Sequence, residues 1–148
     1  MYKKILVPTD GSDLSAQAVA AAVDFARGSG AEIVALSVAE PYLVASAESA
    51  MAIDVGAEME QRRQAAQQNV DRVAQAAQAA GVPCSTVTAV SPVPHEEIIN
   101  VATERNCDLI FIASHGRRGL SRLFAGSVAQ NLLAHSSIPV LVLRPKLA

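Results

Sequence analysis

A glycine-containing turn near the end of the chain has residue types that hold phosphate groups. Nine residues separate Gly116 from Gly126, Arg117 and Arg118 follow the first glycine, and Ser127 follows the second. Glycine lets a backbone approach a ligand closely, and arginine offers forked, permanently charged donors to phosphate oxygens. Gly126 and Ser127 also open an apolar helical pattern, and the first N–H groups of a helix attract anions. The turn is therefore a candidate anion site.

The distribution of charge favours an anion site in the same part of the chain. All 14 acidic residues precede Leu109, whereas five basic residues follow it. The formal net charge is nevertheless −2, and a general polyanion binder would be basic overall. The sequence predicts a local anion site and no nucleic-acid partner.

The elements that must position this turn alternate between strand and helix. Apolar or β-branched runs predict five strands, at Lys4–Val7, Ile33–Val38, Cys84–Val90, Leu109–Ile112 and Val140–Leu143. Such alternation predicts a parallel sheet with right-handed crossovers. The third strand is half polar and belongs at an edge, whereas the others are apolar throughout, as strands covered on both faces are. We predict one α/β domain over residues 1–148, with an open five-stranded parallel sheet in the order 3-2-1-4-5 and helices on both faces.

Helical patterns fill the intervals between these strands. The first helix is predicted to begin at the N-cap Ser12 and to be stopped by Gly28 and Gly30. Its predicted buried face consists of Ala16, Val19, Ala20, Val23 and Ala26. A long helix over about 57–80 places Met59, Ala66, Val70, Val73 and Ala77 on one face. The stretch 41–56 has no clear period.

The predicted strand order reverses its winding between the first and fourth strands. Ligands of open α/β sheets bind at such a reversal, outside the carboxyl ends of the strands. Asp10 follows the first strand and the glycine turn follows the fourth, so we expect the two to lie together. Asp10 has a second interpretation, as a turn or capping residue ahead of the helix at Ser12. Both interpretations remain open on the sequence.

Two common nucleotide-binding motifs are absent from the sequence. It contains neither the GxxxxGK[ST] phosphate loop nor a GxGxxG run after the first strand. His115 is interpreted as a turn residue, because the adjacent Ser114 would point to the other side of an extended chain. Neither a third partner for a nucleophilic triad nor a base for attack on a γ-phosphate is evident. The sequence favours binding over catalysis.

The cysteines and the apolar runs indicate the cellular compartment. The first residues contain too short an apolar run for a signal peptide, and no run reaches the roughly 20 residues that span a bilayer. Cys84 and Cys107 have no metal-ligand spacing and are interpreted as reduced thiols. We expect a cytoplasmic protein without membrane insertion and without a dedicated metal site.

Three motifs, in chain order, resemble those of the nucleotide-binding universal stress proteins. The run Ala113-Ser114-His115-Gly116, nine residues and Gly126-Ser127 is similar to the Gly-x2-Gly-x9-Gly-Ser/Thr signature of that family. The opening run ILVPTDGS and the closing run IPVLV also resemble it, so the likeness covers essentially the whole chain. One position departs from the signature: Ala113 replaces its first glycine, which would strain the backbone if a positive φ were needed there.

The resemblance implies an ATP site at the reversal of winding, with Mg²⁺ entering only together with the triphosphate. Asp10 would approach the ribose or a metal, Val38 would meet adenine through its backbone, and the glycine signature would wrap the phosphates. The implied nucleotide contacts are Pro8, Thr9, Asp10, Val38, Ile112, Ala113, Gly116, Arg117, Arg118, Gly126, Ser127 and Val128. The implied function is that of a stress-response regulator with at most slow ATP hydrolysis.

The fifth strand is a second candidate surface. Val140, Leu141, Val142 and Leu143 form an apolar run at a sheet edge, which invites association unless it is paired. The resemblance implies a homodimer through this strand. Two alternatives stay open: a dimeric interaction protein of the same fold in which Ala113 closes the site, and an adenylyl transferase. The latter would need an HxGH-type histidine pair at the first helix, which the sequence lacks.

Overall fold

A computed structural model of the chain describes residues 1–42, 54–115 and 126–144. In these ranges the strands are β1 (Lys4–Pro8), β2 (Glu32–Ala39), β3 (Cys84–Val90), β4 (Leu109–Ala113) and β5 (Val140–Leu143). The helices are α1 (Asp13–Ser29), α2 (Val55–Ala79), α3 (Pro94–Glu104) and α4 (Ser127–His135). No helix in the described ranges is long and apolar enough to cross a bilayer.

The five strands form one parallel sheet in the order β3-β2-β1-β4-β5. The fold class and the strand order predicted from the sequence are therefore confirmed. The half-polar β3 lies at one edge, where most of its side chains are exposed, and β5 forms the other edge. β1 lies in the centre and pairs with β2 and β4, so its carboxyl end is at the reversal of winding.

The sheet separates two hydrophobic layers. Because side chains alternate along a strand, Ile5 and Val7 of β1 face α1 and α2, whereas Leu6 faces α3 and α4. Phe111 and Ile110 of β4 divide in the same way. Both faces of the central strands are covered, which explains why these strands consist mostly of apolar residues.

Helix α1 has the predicted N-cap at Ser12 and the predicted end at Gly30, and Val19, Val23 and Ala26 of its predicted buried face are buried. The Ser12 hydroxyl accepts from Ser15 N–H (3.2 Å), and Gly30 ends the helix with φ +77°. Gly28 lies within the helix rather than stopping it. The buried residues are Ser15, Ala18, Val19, Ala22, Val23 and Ala26.

Ala16 and Ala20 are exposed, so their assignment to the buried face was wrong. Alanine is frequent all around this helix, and its small size gives the periodicity little power to fix the rotation about the axis. The observed buried face includes Ser15, whose hydroxyl lies 3.0 Å from the hydroxyl of Thr9 at the end of β1. Helix α1 therefore turns a polar side chain towards the end of the central strand.

Asp108 fastens the start of β1 to the start of β4. Its carboxylate accepts hydrogen bonds from the N–H groups of Lys3 (2.9 Å) and Lys4 (3.0 Å). Partial burial raises the pKa of Asp108, but these backbone hydrogen bonds outweigh it, and the pKa lies below its ordinary value. The ionised carboxylate is thus the form that the fold favours.

We expect Asp108→Asn to lower the free energy of unfolding at neutral pH by about 1 kcal/mol, because a neutral amide accepts these bonds more weakly. A lowered pKa stabilises the fold above the unfolded-state pKa of about 3.9, and this contribution is lost as pH falls through the lower folded-state pKa. Urea titrations across the acid range should therefore show a shallower loss of stability in the variant. Asp71→Asn, at an exposed position of α2, is the control. An unchanged acid profile for Asp108→Asn would contradict this role.

Candidate functional site

The crevice at the reversal of winding is bounded by strand ends that hydrogen bonds hold together. Thr9 N–H donates to the Leu36 carbonyl (2.8 Å), which ties the end of β1 to β2. Ser114 N–H donates to the Leu143 carbonyl (2.8 Å), which ties the end of β4 to β5. The chain segments that leave β1 and β4 consequently start from fixed, adjacent points of the sheet.

The turn between β1 and α1 is closed by its own side chains. Asp10 Oδ1 accepts from Ser12 N–H (3.0 Å), and the Thr9 hydroxyl accepts from Gly11 N–H (3.2 Å). Gly11 has φ +79°, a conformation that favours glycine. The turn-forming interpretation of Asp10 is thus observed, and the same bond fixes the direction of a half-buried carboxylate at the crevice.

Helix α4 begins directly against the end of β4. Gly126 N–H donates to the Ser114 carbonyl, and the first bond within the helix runs from Gln130 N–H to the Gly126 carbonyl (2.9 Å). A Cβ atom at Gly126 would lie 3.1 Å from the Ser114 oxygen and 3.5 Å from the His115 Cα. Only a residue without a side chain fits here unless the two segments move apart.

This arrangement makes the start of α4 suitable for an anion. Among the described residues no side chain caps the helix at Gly126, and helical geometry leaves the N–H groups of the first turn, including those of Ser127 and Val128, without a partner inside the helix. These groups carry the positive end of the helix dipole. The Ser127 hydroxyl adds a further donor at the same end.

The predicted site residues that the structure describes lie at the ends of three strands and at the start of one helix. Pro8, Thr9 and Asp10 are at the end of β1, Ile112 and Ala113 are at the end of β4, and Gly126, Ser127 and Val128 open α4. Val38 lies near the end of β2. Gly116, Arg117 and Arg118 are outside the described residues, so their contribution stays a prediction.

Three apolar members of this set share one face of the sheet. Ile112 belongs to the core between the sheet and helices α3 and α4, and Val38 and Val128 pack against that core while staying half-buried. Val38 and Val128 therefore keep apolar surface accessible on the side of the sheet that α4 covers, and the polar start of α4 lies on that same side. A ligand with a flat apolar part and an anionic part would meet both kinds of surface.

Ala113 does not strain the backbone. It is the last residue of β4, pairs with Leu143 and is buried against α1 and α2. Among the described residues, the non-glycine residue with a positive φ is Asn106, not Ala113. The strain considered for this substitution is therefore not present, and the methyl group contributes to the core.

Ser114 and His115 form a side-chain pair that the sequence interpretation excluded. Ser114 Oγ lies 2.9 Å from His115 Nδ1, and both residues are buried. The alternation rule failed because β4 ends at Ala113 and the next two residues are no longer extended. The pair lies beside the point where Gly126 N–H donates to the Ser114 carbonyl.

Sequence reasoning missed a polar cluster behind the β1–α1 turn. Asn69 of α2 donates from Nδ2 to the Ser37 hydroxyl of β2 (3.2 Å), and both side chains are buried. The sequence does indicate that Asn69 is buried, because position 69 lies one residue before Val70 and four before Val73 on a predicted buried face. A polar residue at such a position needs a partner inside the protein.

The fold defines a class: open α/β proteins with a parallel sheet whose strand order reverses its winding, the place where such sheets bind ligands. The sequence profile of the Universal stress protein family matches residues 1–144. The chain belongs to the universal stress protein family, as the motifs predicted.

Individual relatives agree with this assignment. Universal stress protein MJ0531 of Methanocaldococcus jannaschii is 33% identical over 146 residues, which cover 97% of this chain and 83% of the relative. Universal stress protein YxiE of Bacillus subtilis is 33% identical over 149 residues, with 97% and 100% covered. The solved structure of MJ0577, also from M. jannaschii, superposes with a TM-score of 0.82 at 27% identity and covers 100% of this chain and 99% of that one.

Proposed function

We propose that this universal stress protein binds an adenine nucleotide, with ATP as its main ligand, and acts as a stress-response regulator rather than as an efficient enzyme. The observation that carries the proposal is the start of α4 at Gly126, which lies against the end of β4 at the reversal of winding and has no side-chain cap among the described residues. It offers backbone donors to phosphate. The half-buried Asp10 follows the neighbouring strand β1, and Val38 and Val128 supply accessible apolar surface on the side of the sheet that α4 covers.

Solved relatives of the same fold support an adenine ligand. One universal stress protein was solved in complex with cAMP and superposes with a TM-score of 0.68 at 24% identity. The universal stress protein from Archaeoglobus fulgidus in complex with dAMP superposes with a TM-score of 0.66 at 19% identity. These likenesses concern the fold, and they make it a fold that accommodates adenine nucleotides.

Two parts of the proposed site would contact two parts of the nucleotide, the phosphates and the nucleoside. The phosphates would lie at the N–H groups of Ser127 and Val128, with Gly116, Arg117 and Arg118 closing over them. The base would contact Val38, and Asp10 would face the ribose or a Mg²⁺ ion that enters with the triphosphate. Among the described residues, no group of three or more His, Cys, Asp or Glu side chains could hold a metal, so phosphate oxygens would supply the other ligands to Mg²⁺.

Native mass spectrometry of the purified protein and calorimetry with Mg-ATP and Mg-GTP test this proposal together. We expect one adenine nucleotide per chain, and tighter binding of Mg-ATP than of Mg-GTP. Release of the γ-phosphate should stay slow, because the sequence shows no evident base to activate an attacking water. Absence of bound nucleotide combined with no calorimetric signal for Mg-ATP would refute the proposal.

We further propose that two copies pair through β5. The carbonyls of Pro139 and Leu143 both accept from β4 (2.9 and 2.8 Å), so alternation along the strand turns the backbone groups of Val140 and Val142 towards the open edge. Such an edge is a template for another strand. The half-exposed side chains of β5 add apolar surface around it.

Val142→Pro is expected to give monomers, because it removes an outward N–H group while the bonds between β4 and β5 stay intact. Val142→Thr keeps both the N–H group and the branched shape, and should remain dimeric as the matched control. Light scattering measures the mass of each variant. An intact dimer of Val142→Pro, or a monomeric wild-type protein, would contradict pairing through β5.

The cytoplasm is the proposed place of action. Cys84 and Cys107 are both free thiols, as expected in a reducing compartment. Burial raises the pKa of the Cys107 thiol to about 11, so this cysteine stays protonated and unreactive at neutral pH.

A further inference from the structure

Asn69 is a buried polar residue in a helix face that otherwise contains only aliphatic side chains. The buried residues of α2 are Ala66, Asn69, Val70, Val73 and Ala77. Asparagine is a weaker helix former than alanine, and burial of an amide is unfavourable unless it is hydrogen-bonded. An aliphatic residue would suit both the helix and the core better, so the position of Asn69 needs another explanation.

The two ends of the Asn69 amide contact two different elements of the crevice. Its nitrogen donates to the Ser37 hydroxyl of β2 (3.2 Å). Its oxygen occupies the space beside Gly11, where an added Cβ atom would meet it within 2.4 Å. One side chain from α2 therefore contacts both the end of β2 and the β1–α1 turn.

The contacted residues are next to the proposed nucleoside contacts. Gly11 lies between Asp10 and Ser12, whose hydrogen bond (3.0 Å) sets the direction of the Asp10 carboxylate. Ser37 directly precedes Val38 in β2. A change in the amide of Asn69 would therefore shift Asp10 and Val38 relative to each other, even though Asn69 itself lies behind them.

We propose that Asn69 is a positioning residue for the nucleoside half of the site. It sets the spacing between the β1–α1 turn and the end of β2, and acts on the ligand only through Gly11 and Ser37. The phosphate half, at the start of α4, is built by other contacts and is independent of it. This inference rests on the proposed binding of an adenine nucleotide.

Affinities of three ligands separate this role from a general effect on stability. Asn69→Ala should weaken ATP and adenosine by the same factor, roughly five- to fiftyfold, as expected for a displaced polar contact. Inorganic tripolyphosphate, which would occupy only the phosphate half, should bind with unchanged affinity. Exchange of the Ser12 amide hydrogen should become faster, because its bond to Asp10 loses support from behind.

Two variants of the same helix serve as controls. Gln68→Ala changes an exposed neighbour and should alter nothing. Val70→Ala weakens the packing of α2 without touching Gly11 or Ser37, so it should lower stability but keep the affinities for ATP and adenosine. Ser37→Ala removes the same hydrogen bond from the side of β2 and should weaken ATP and adenosine in the same pattern; it replaces Asn69→Ala if that variant does not fold.

Several results would overturn the inference. The first is that Asn69→Ala keeps wild-type affinities and wild-type exchange of the Ser12 amide. The second is that Val70→Ala loses as much affinity for ATP and adenosine as Asn69→Ala does. The third is that Asn69→Ala loses as much affinity for tripolyphosphate as for ATP. Failure of the proposed function has a different signature, because the wild-type protein itself would then bind neither ATP nor adenosine. In that case the Ser12 exchange rates still show whether Asn69 holds the turn.

Discussion

Gly126→Ala should lower the affinity for Mg-ATP at least tenfold while the chain remains folded. The added Cβ atom would lie 3.1 Å from the Ser114 oxygen, so the start of α4 must move away from the end of β4. The methyl group would also stand beside the N–H groups proposed to hold phosphate. Loss of one hydrogen bond to a charged group costs about 1.5–3 kcal/mol, which corresponds to roughly ten- to hundredfold in affinity. Calorimetry measures the change.

Gly28→Ala is the matched control for this substitution. Gly28 lies in α1, has an ordinary helical backbone, and nothing lies within 4 Å of an added Cβ atom. We expect it to raise stability by about 0.5–1 kcal/mol, because alanine is the better helix former, and to leave ATP affinity unchanged. Wild-type affinity in Gly126→Ala would show that the phosphates bind elsewhere.

Gly11→Ala should destabilise the fold by about 2–5 kcal/mol, which combines a left-handed backbone penalty with overpacking. Gly11 has φ +79°, and an added Cβ atom would meet Asn69 Oδ1 within 2.4 Å. Because Asn69 is itself bonded to Ser37, it cannot turn aside without breaking a buried hydrogen bond. Urea unfolding measures the loss of stability.

Gly30→Ala separates the two contributions. Gly30 has nearly the same backbone, φ +77°, but nothing lies within 4 Å of its added Cβ atom. It should therefore cost only the backbone penalty of about 1–2 kcal/mol. The excess cost at Gly11 measures the contact with Asn69 and should shrink when Asn69→Ala is combined with Gly11→Ala. Equal costs at Gly11 and Gly30 would contradict the close contact.

The sheet was predictable because its residues carry one unambiguous signal. Apart from Lys4, Glu32 and Ser37, four strands consist of apolar residues, whereas β3 is half polar, and this contrast favours the edge position of β3. The start of α4 was equally clear, since Gly126 and Ser127 precede an apolar helical pattern and the helix begins at Ser127. Composition and hydrophobic periodicity suffice to predict an element and its place in the fold when its side chains differ strongly in polarity from those of its neighbours.

The sequence predictions were wrong where a contact joins separate elements. On α1, the buried Ser15 contacts Thr9 at the end of β1, whereas the alanines at Ala16 and Ala20 are too small to show which face of the helix is buried. The contact of Asn69 with Gly11 and Ser37 joins three separate elements. Such a contact is specified only once the sheet has brought those elements together.

The placement of the strand ends around the candidate site was predictable from the sequence, whereas the contacts between the residues at those ends were not. Topology alone brings the end of β1 beside the end of β4, which places Asp10 and Gly126 in one crevice. The unstrained backbone of Ala113 depends on where β4 ends. The contact between the Ser114 and His115 side chains (2.9 Å) depends on the same boundary. A shift of one residue in that boundary changes which side chains meet, and sequence patterns do not locate a boundary so finely.

Amide NMR spectra of the protein titrated with Mg-ATP test the central claim most directly, because they show where the nucleotide binds as well as whether it binds. The predicted result is a set of shifts at Thr9, Asp10, Val38 and Ser114 and at the start of α4, from Gly126 to Val128. Shifts confined to residues of α1 and α2 or to β3, or no shifts at millimolar Mg-ATP, would contradict a nucleotide site at the reversal of strand order.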